Sequence, residues 1–431
     1  MDSRSLHLFR ICLGVYQLAN LALRSFSLEA HYTDAGVLPR SVLLPLLEPS
    51  QISLHLMSGS LGFEVLLFAI QVIVIVLFTL GIKTRWTVTA CWILEIFLQR
   101  RNPMVLDASD SILAIFLLWS TLLPLNNANL KEKVNQDICS WGTGGYILQL
   151  FLIYLFSSIL KIQSGLWLDI SSGGAVYYGL QDTFTSPLAE ILVSWPRSIT
   201  GGLSVGVVVF ELLAPLIYLV ARRPARLRTP LVVSFMMFHL GIGLLIGIWK
   251  FAALSMILWI PLIPESWWKS RSTASSHTRW LPSNLDGIMA VSLLFLAMMG
   301  NLYSIGIISH DWIVRINPLL SALDFNQNWS MYTIDALKNP VGIEIRATST
   351  EGEEGVISIK GITQDPSLRW HNYLGGIAYG EKTLANQLAR YLCRHAGEPK
   401  RITVLRFTKN DGHREELGKT ECITIPATTS P

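Results

Sequence analysis

From Tyr146 to Leu160 the chain reads YILQLFLIYLFSSIL without a charge, and Lys161 follows at once. In hydrocarbon such a run satisfies its backbone only as a helix, so it commits this part of the chain to an apolar bundle. Comparable runs lie near 11–23, 60–81, 86–99, 108–125, 200–221, 229–248, 249–264 and 285–306, with the run around Lys161 placed at 144–162. Crossing about 30 Å of bilayer takes roughly 20 residues, and on that measure nine spans are expected. Runs 86–99 and 249–264 are short enough to tilt or to enter as a hairpin. The chain is 51% hydrophobic and 15% charged, against about 25% charged for soluble domains. The expected fold class is therefore a polytopic α-helical membrane protein carrying a small C-terminal extracytoplasmic α+β domain. The first run sits between Arg10 and Arg24 and lacks an Ala-x-Ala-like cleavage site, so it reads as a retained helix.

Loop charges set the orientation, because cytoplasmic loops carry the Lys/Arg excess. With the N-terminus inside, the inner loops hold Lys83 and Arg85, Lys131 and Lys133, Arg222 to Arg228, then Lys269, Arg271 and Arg279. The outer loops hold fewer, chiefly Arg40, Arg100, Arg101 and Arg197. The expected placement is a bacterial inner membrane, with the N-terminus cytoplasmic and everything after Ser309 outside.

The chain divides by composition into a transmembrane part, 1–309, and an outer domain, 310–431. The latter holds 14 basic and 14 acidic residues of the chain's 34 and 30, so the net charge of +4 belongs to the membrane part. Alternating runs at Val341–Arg346, Gly355–Lys360, Ile402–Thr408 and Cys422–Ile425 predict half-buried strands. Between them, Lys382–His395 sets Leu384, Leu388, Tyr391 and Leu392 on one helical face. Cys393 and Cys422 suit either a disulfide or buried thiols. The five cysteines show no CxxC spacing, so no metal is expected. Walker, GxGxxG, HExxH and GxSxG motifs are absent, as is a basic–aromatic stripe for nucleic acid.

Ionisable groups inside spans are costly and therefore informative. Glu64, Glu95, Asp107, Asp110, Lys161 and Lys250 fall in the outer half of the bundle. Glu211 and His239 lie about eleven residues into their spans, roughly 16 Å deep at 1.5 Å per residue. An outward-opening polar cavity would gather all of them. Each also has a plainer role: Lys161 can snorkel to water, Asp107 and Asp110 can cap a helix, His239 can satisfy itself on a neighbouring carbonyl, and Glu211 stands four before the kink-forming Pro215.

Several fragments, in order, resemble the HTTM membrane domain of vitamin K-dependent gamma-carboxylases and their bacterial relatives. They are Phe9-Arg10-Ile11 with Gly14; His31 to Asp34 with Gly36-Val37-Leu38-Pro39; Asn102-Pro103 through Asp107 and Asp110; Gln149, Tyr154, Lys161 and Trp167; Phe238-His239-Leu240 with Ile246-Gly247 and Pro261; and Gln327 to Met331. The resemblance implies that Lys161 is the base that deprotonates a reduced, vitamin K-like quinone. Oxygen and carbon dioxide then convert a glutamate on an exported peptide. Such a base must be a neutral amine near pH 7. The chain departs from the carboxylases in carrying Asp107 and Asp110 where they have an Asn–His pair, and Lys250-Phe251 where Phe-Pro is expected.

The expected site thus has Lys161, His239 and Asp110 as catalytic groups, with Asp107, Trp167, Glu211 and Glu95 binding substrate. Membrane lipid and a secreted peptide are the expected partners. Two other readings stay open: a non-catalytic maturation or partner-binding protein of the same fold, and a proton or small-solute conductor built on Glu211 and His239.

Overall fold

The fold is described from a computed structural model. It describes the chain apart from residues 126–137, 182–185, 221–223, 269–278, 281–282, 332, 334–339, 350, 360–367, 381, 397–398, 409–411 and 423–431. Lys131, Lys133, Arg222, Arg223, Lys269 and Arg271, used above for orientation, lie outside the described residues.

Helices occur at all nine expected places, but they are unequal. Those long and apolar enough to cross a membrane are α1 (Ser3–Ser25), α3 (Leu61–Leu80), α6 (Trp141–Ser164), α7 (Arg197–Val220), α8 (Pro224–Ile246) and α10 (Asn284–Ser304). The short helix Leu28–Tyr32 between the first two is α2. The protein is a polytopic integral membrane protein with six such helices among the described residues. The other three expected spans are corrected. α4 (Thr84–Arg101) ends in the charged pair Arg100 and Arg101. α5 (Ala108–Ser120) stops five residues before the expected end and is buried along nearly its whole length. α9 (Trp249–Trp259) gives way to a tight 3-10 turn at Ile260–Leu262 containing Pro261, as expected where the ring removes a backbone donor. Outward-facing Val209, Leu213, Ile217 and Val220 on α7 are 46%, 45%, 51% and 79% exposed. A face this apolar suits lipid and not water.

The chain forms two compact units interleaved in sequence. The first comprises Met1–Leu18, Gln71–Ile96 and Ala108–Leu337; the second comprises Ala19–Ile70, Phe97–Asp107 and Lys338–Pro431.

The first unit contains most of the bundle and also α11 (His310–Leu323), an amphipathic helix that the sequence reading left unassigned. Buried amides tie its interior: Gln149 accepts from the Trp119 indole (3.3 Å) and donates to Gln327 (3.0 Å).

The second unit is built on a four-stranded antiparallel sheet in the order β2-β1-β3-β4, where β1 is Val341–Thr348, β2 Glu354–Ile357, β3 Arg401–Thr408 and β4 Arg414–Glu421. Ile345 pairs with Ile357 on one side and Val404 on the other. Period-two alternation turns Ile343, Ile345 and Ala347 toward the core, while Glu344 and Arg346 face the other way and bond each other at 2.7 Å. α12 (Arg369–Ala378) and α13 (Lys382–His395) cover the apolar face; α13 has the expected bounds and buries Leu384, Leu388, Tyr391 and Leu392. The last strand among the described residues, 414–421, was not expected; of the expected strand Cys422–Ile425, residues 423–425 lie outside the described residues. The second strand ends at Ile357, three residues before its expected end. Cys393 and Cys422 form a disulfide, in keeping with an extracytoplasmic location for this domain.

The sheet and its helices share a core with Ala30, Val37, Leu38, Leu43 and Val105 from the same unit. Arg369 fixes this join, donating to the Val105 carbonyl (3.0 Å) and the Asn20 side chain (2.9 Å). His31 is wholly buried beside Trp370, with ring centroids 4.6 Å apart. Burial, then the charges of Arg369 and Arg24, push its pKa down to about 3, so its imidazole is neutral.

Candidate functional site

The central site grows from α6. Its start is fixed by a reciprocal cap: Ser140 accepts the Thr143 N–H (3.1 Å) and Thr143 accepts the Ser140 N–H (2.8 Å), which occupies donors the helix cannot satisfy internally. Its end is fixed by Gly165 at φ +69°, a left-handed turn that glycine makes without steric cost. That turn returns the chain over the helix end, and the Trp167 ring centroid lies 4.8 Å from the Lys161 ammonium. Between the caps, Tyr154, Ser157, Ser158 and Lys161 recur at the spacing that stacks side chains on one helical face.

Lys161 does not snorkel. It is 5% exposed and hydrogen-bonded to the Glu211 carboxylate, which is equally buried. The two arrive from α6 and α7, and Pro215 on α7 leaves the Glu211 carbonyl without its usual helical donor. An unpaired charge would be prohibitive here, whereas an ammonium and carboxylate in contact are net neutral. The neutral amine required of a lysine base is thus opposed by a neighbour the sequence reading had assigned to substrate.

One turn pair along the same face, the Tyr154 hydroxyl meets His239 Nε2 (2.8 Å) and accepts from the Trp259 indole N–H (2.9 Å). Indole only donates, so the phenol oxygen is the acceptor there and its own proton is left for Nε2. In that arrangement His239 is neutral and carries its proton on Nδ1. That N–H is buried without a hydrogen-bond partner, as is the Ser157 hydroxyl. Phe235 stacks on Trp259 at 4.2 Å, and Phe251 stands 5.7 Å from the imidazole. Replacing Tyr154 by Phe keeps the packing and orphans Trp259 Nε1 and His239 Nε2, for an expected loss of about 1–3 kcal/mol. Unfolding in detergent checks it, since a silent substitution would mean the triad holds nothing.

The remaining predicted residues sit elsewhere. Asp110, in the first turn of α5, is buried and holds Lys250 through both oxygens at 3.2 and 3.1 Å. Asp107 directly precedes α5. Glu95 is buried and accepts from Gln71 at 3.3 Å. Among the described residues no three His, Cys, Asp or Glu side chains come together as a metal site. Sequence reasoning missed Trp259 and treated Tyr154 only as part of a resemblance. The seven-residue interval from Tyr154 to Lys161 was the available signal; nothing local announces Trp259. No family model, curated protein or solved structure matches this chain.

Proposed function

We propose that the protein is a membrane enzyme of the gamma-carboxylase-like kind, with an intramembrane acid–base centre at Lys161 and Glu211 acting on a lipid-soluble quinol. The observation that carries the reading is this buried pair together with the Tyr154–His239 hydrogen bond on the same face of α6. Ionisable groups inside a bundle are expensive and are kept for function. Moving one proton within the pair converts ammonium and carboxylate into amine and carboxylic acid with no change in net charge. A low dielectric favours that uncharged form, and the amine so produced is a competent base.

A quinol fits the groups present. The His239 Nδ1–H lacks an acceptor and a quinol oxygen is one, while Phe251 and Trp167 offer flat apolar surface. When bound, the quinol would supply the reducing equivalents of the reaction. This chain's residues would orient it through His239, shield it with aromatic rings and take its hydroxyl proton at Lys161 Nζ. In this reading the N-terminus is cytoplasmic, the membrane is a bacterial inner membrane, and the disulfide-bearing domain presents a secreted peptide.

The test is to purify the protein in native lipid, identify what co-purifies by mass spectrometry, and assay quinol-dependent turnover. A bound quinone with turnover is the expected result. Neither quinone nor turnover, with flux through proteoliposomes depending on Glu211, would replace the enzyme by a conductor.

A further inference from the structure

A second cluster, independent of the quinol reading, lies wholly within the second compact unit. Its backbone frame is over-determined. Ser53 accepts the His55 N–H (3.1 Å) and donates to the Phe97 carbonyl (2.6 Å), Arg100 donates to the Ile52 carbonyl (2.7 Å), and Arg40 to the Leu56 carbonyl (3.1 Å). These bonds pin the loop so that His55 Nδ1 meets the Glu64 carboxylate at 2.5 Å, with both side chains buried.

Arg101 completes the cluster. It is fully buried and spends Nη1 on the Leu38 carbonyl (2.8 Å), but its Nε and Nη2 make no hydrogen bond. Asp34 Oδ1 approaches Nη2 only to 3.5 Å, beyond hydrogen-bond range, and accepts instead from the Arg40 backbone N–H (2.9 Å) and Nε (3.2 Å), while Oδ2 accepts from Arg40 Nε and Nη2 at 2.9 and 2.8 Å. The unused Nε–Nη2 edge is the side of a guanidinium that grips a carboxylate with two parallel N–H donors. Glu64 has the converse vacancy, since its Oε1 is buried without a donor, and its charge reaches both Arg101 and Arg40. A bare anion would answer only the Arg101 edge, whereas a carboxylate that brings its own ammonium or N–H answers both that edge and Glu64 Oε1.

We propose that Arg101 and the His55–Glu64 pair form a binding site for an amino-carboxylate, the chemistry of a free amino acid or of a peptide's C-terminal residue. The carboxylate takes the Nε–Nη2 edge of Arg101, and the ligand's nitrogen donates to Glu64 Oε1. Asp34, whose side chain is 39% exposed, stands on the solvent side and competes weakly for the same guanidinium.

Calorimetric titration of the full-length protein in nanodiscs tests this with glycine and triglycine as probes and glycinamide as the control lacking a carboxylate. Heat from glycine alone identifies a free amino acid as the source, and tighter binding of triglycine identifies a peptide end. Arg101→Lys keeps the charge but not the two-donor edge and is expected to weaken binding roughly tenfold or more. Asp34→Asn removes the competitor and is expected to tighten binding several-fold, which a purely structural role for Arg101 would not produce. The proposal is overturned if neither carboxylate probe binds at millimolar concentration, if glycinamide binds equally, or if Arg101→Lys leaves the affinity unchanged.

Discussion

Lys161→Met is expected to destabilise the protein by about 3–5 kcal/mol, because it strands the Glu211 carboxylate in a buried site. Lys161 and Glu211 are each 5% exposed, so solvent screening does not blunt the effect. Truncating both partners in Lys161→Met/Glu211→Leu removes the stranded charge, and stability is expected to return to near the parent value. Denaturant unfolding in mixed micelles reads the cycle directly. The same pair of variants separates folding from chemistry: the double variant should be folded yet inert in quinol-dependent turnover. A folded, fully active double variant would reduce the pair to a packing device and remove the ground for calling this an acid–base centre.

The disulfide carries the second large effect. Cys393 and Cys422 are 29 residues apart in sequence, and closing a loop of that length restricts the unfolded chain by about 3–4 kcal/mol. The bond joins the end of α13 to the chain just beyond β4, where the Cys422 N–H donates to the Lys400 carbonyl at 2.8 Å. Cys393→Ser/Cys422→Ser, or reduction by dithiothreitol, should therefore release β4 first and expose the C-terminal region to protease. Unchanged digestion kinetics with and without reductant would show that sheet and helix packing hold this region unaided. The free cysteines Cys12, Cys91 and Cys139 provide internal controls for alkylation.

The legibility of the fold followed the physics of each segment. α13 was readable to the residue because a strongly one-sided apolar pattern and flanking polar residues act locally. β4 was missed because REELGKTE is rich in charge on an edge strand, a device that protects edges and hides them from hydropathy. α5 and α9 were read as too long since apolar composition alone does not distinguish a span from a buried core helix. At the site, Lys161 and Glu211 were each conspicuous as charges among apolar residues, and His239 likewise. Their pairing was not, because 50 residues separate the lysine from its carboxylate.

The sequence by itself determined that this chain lives in a membrane, where its long apolar runs lie, and which of its charges are costly enough to matter. Those properties arise from local periodicity and from the transfer energy of single side chains. Tertiary structure alone decided which costly charges meet. It gave Lys161 a counter-ion, linked His239 to Trp259 through the Tyr154 hydroxyl, joined the C-terminal sheet to residues 19–70 and 97–107 in one core, and left one edge of Arg101 unpaired. Such pairings depend on distances between segments far apart in the chain, and no local pattern encodes them.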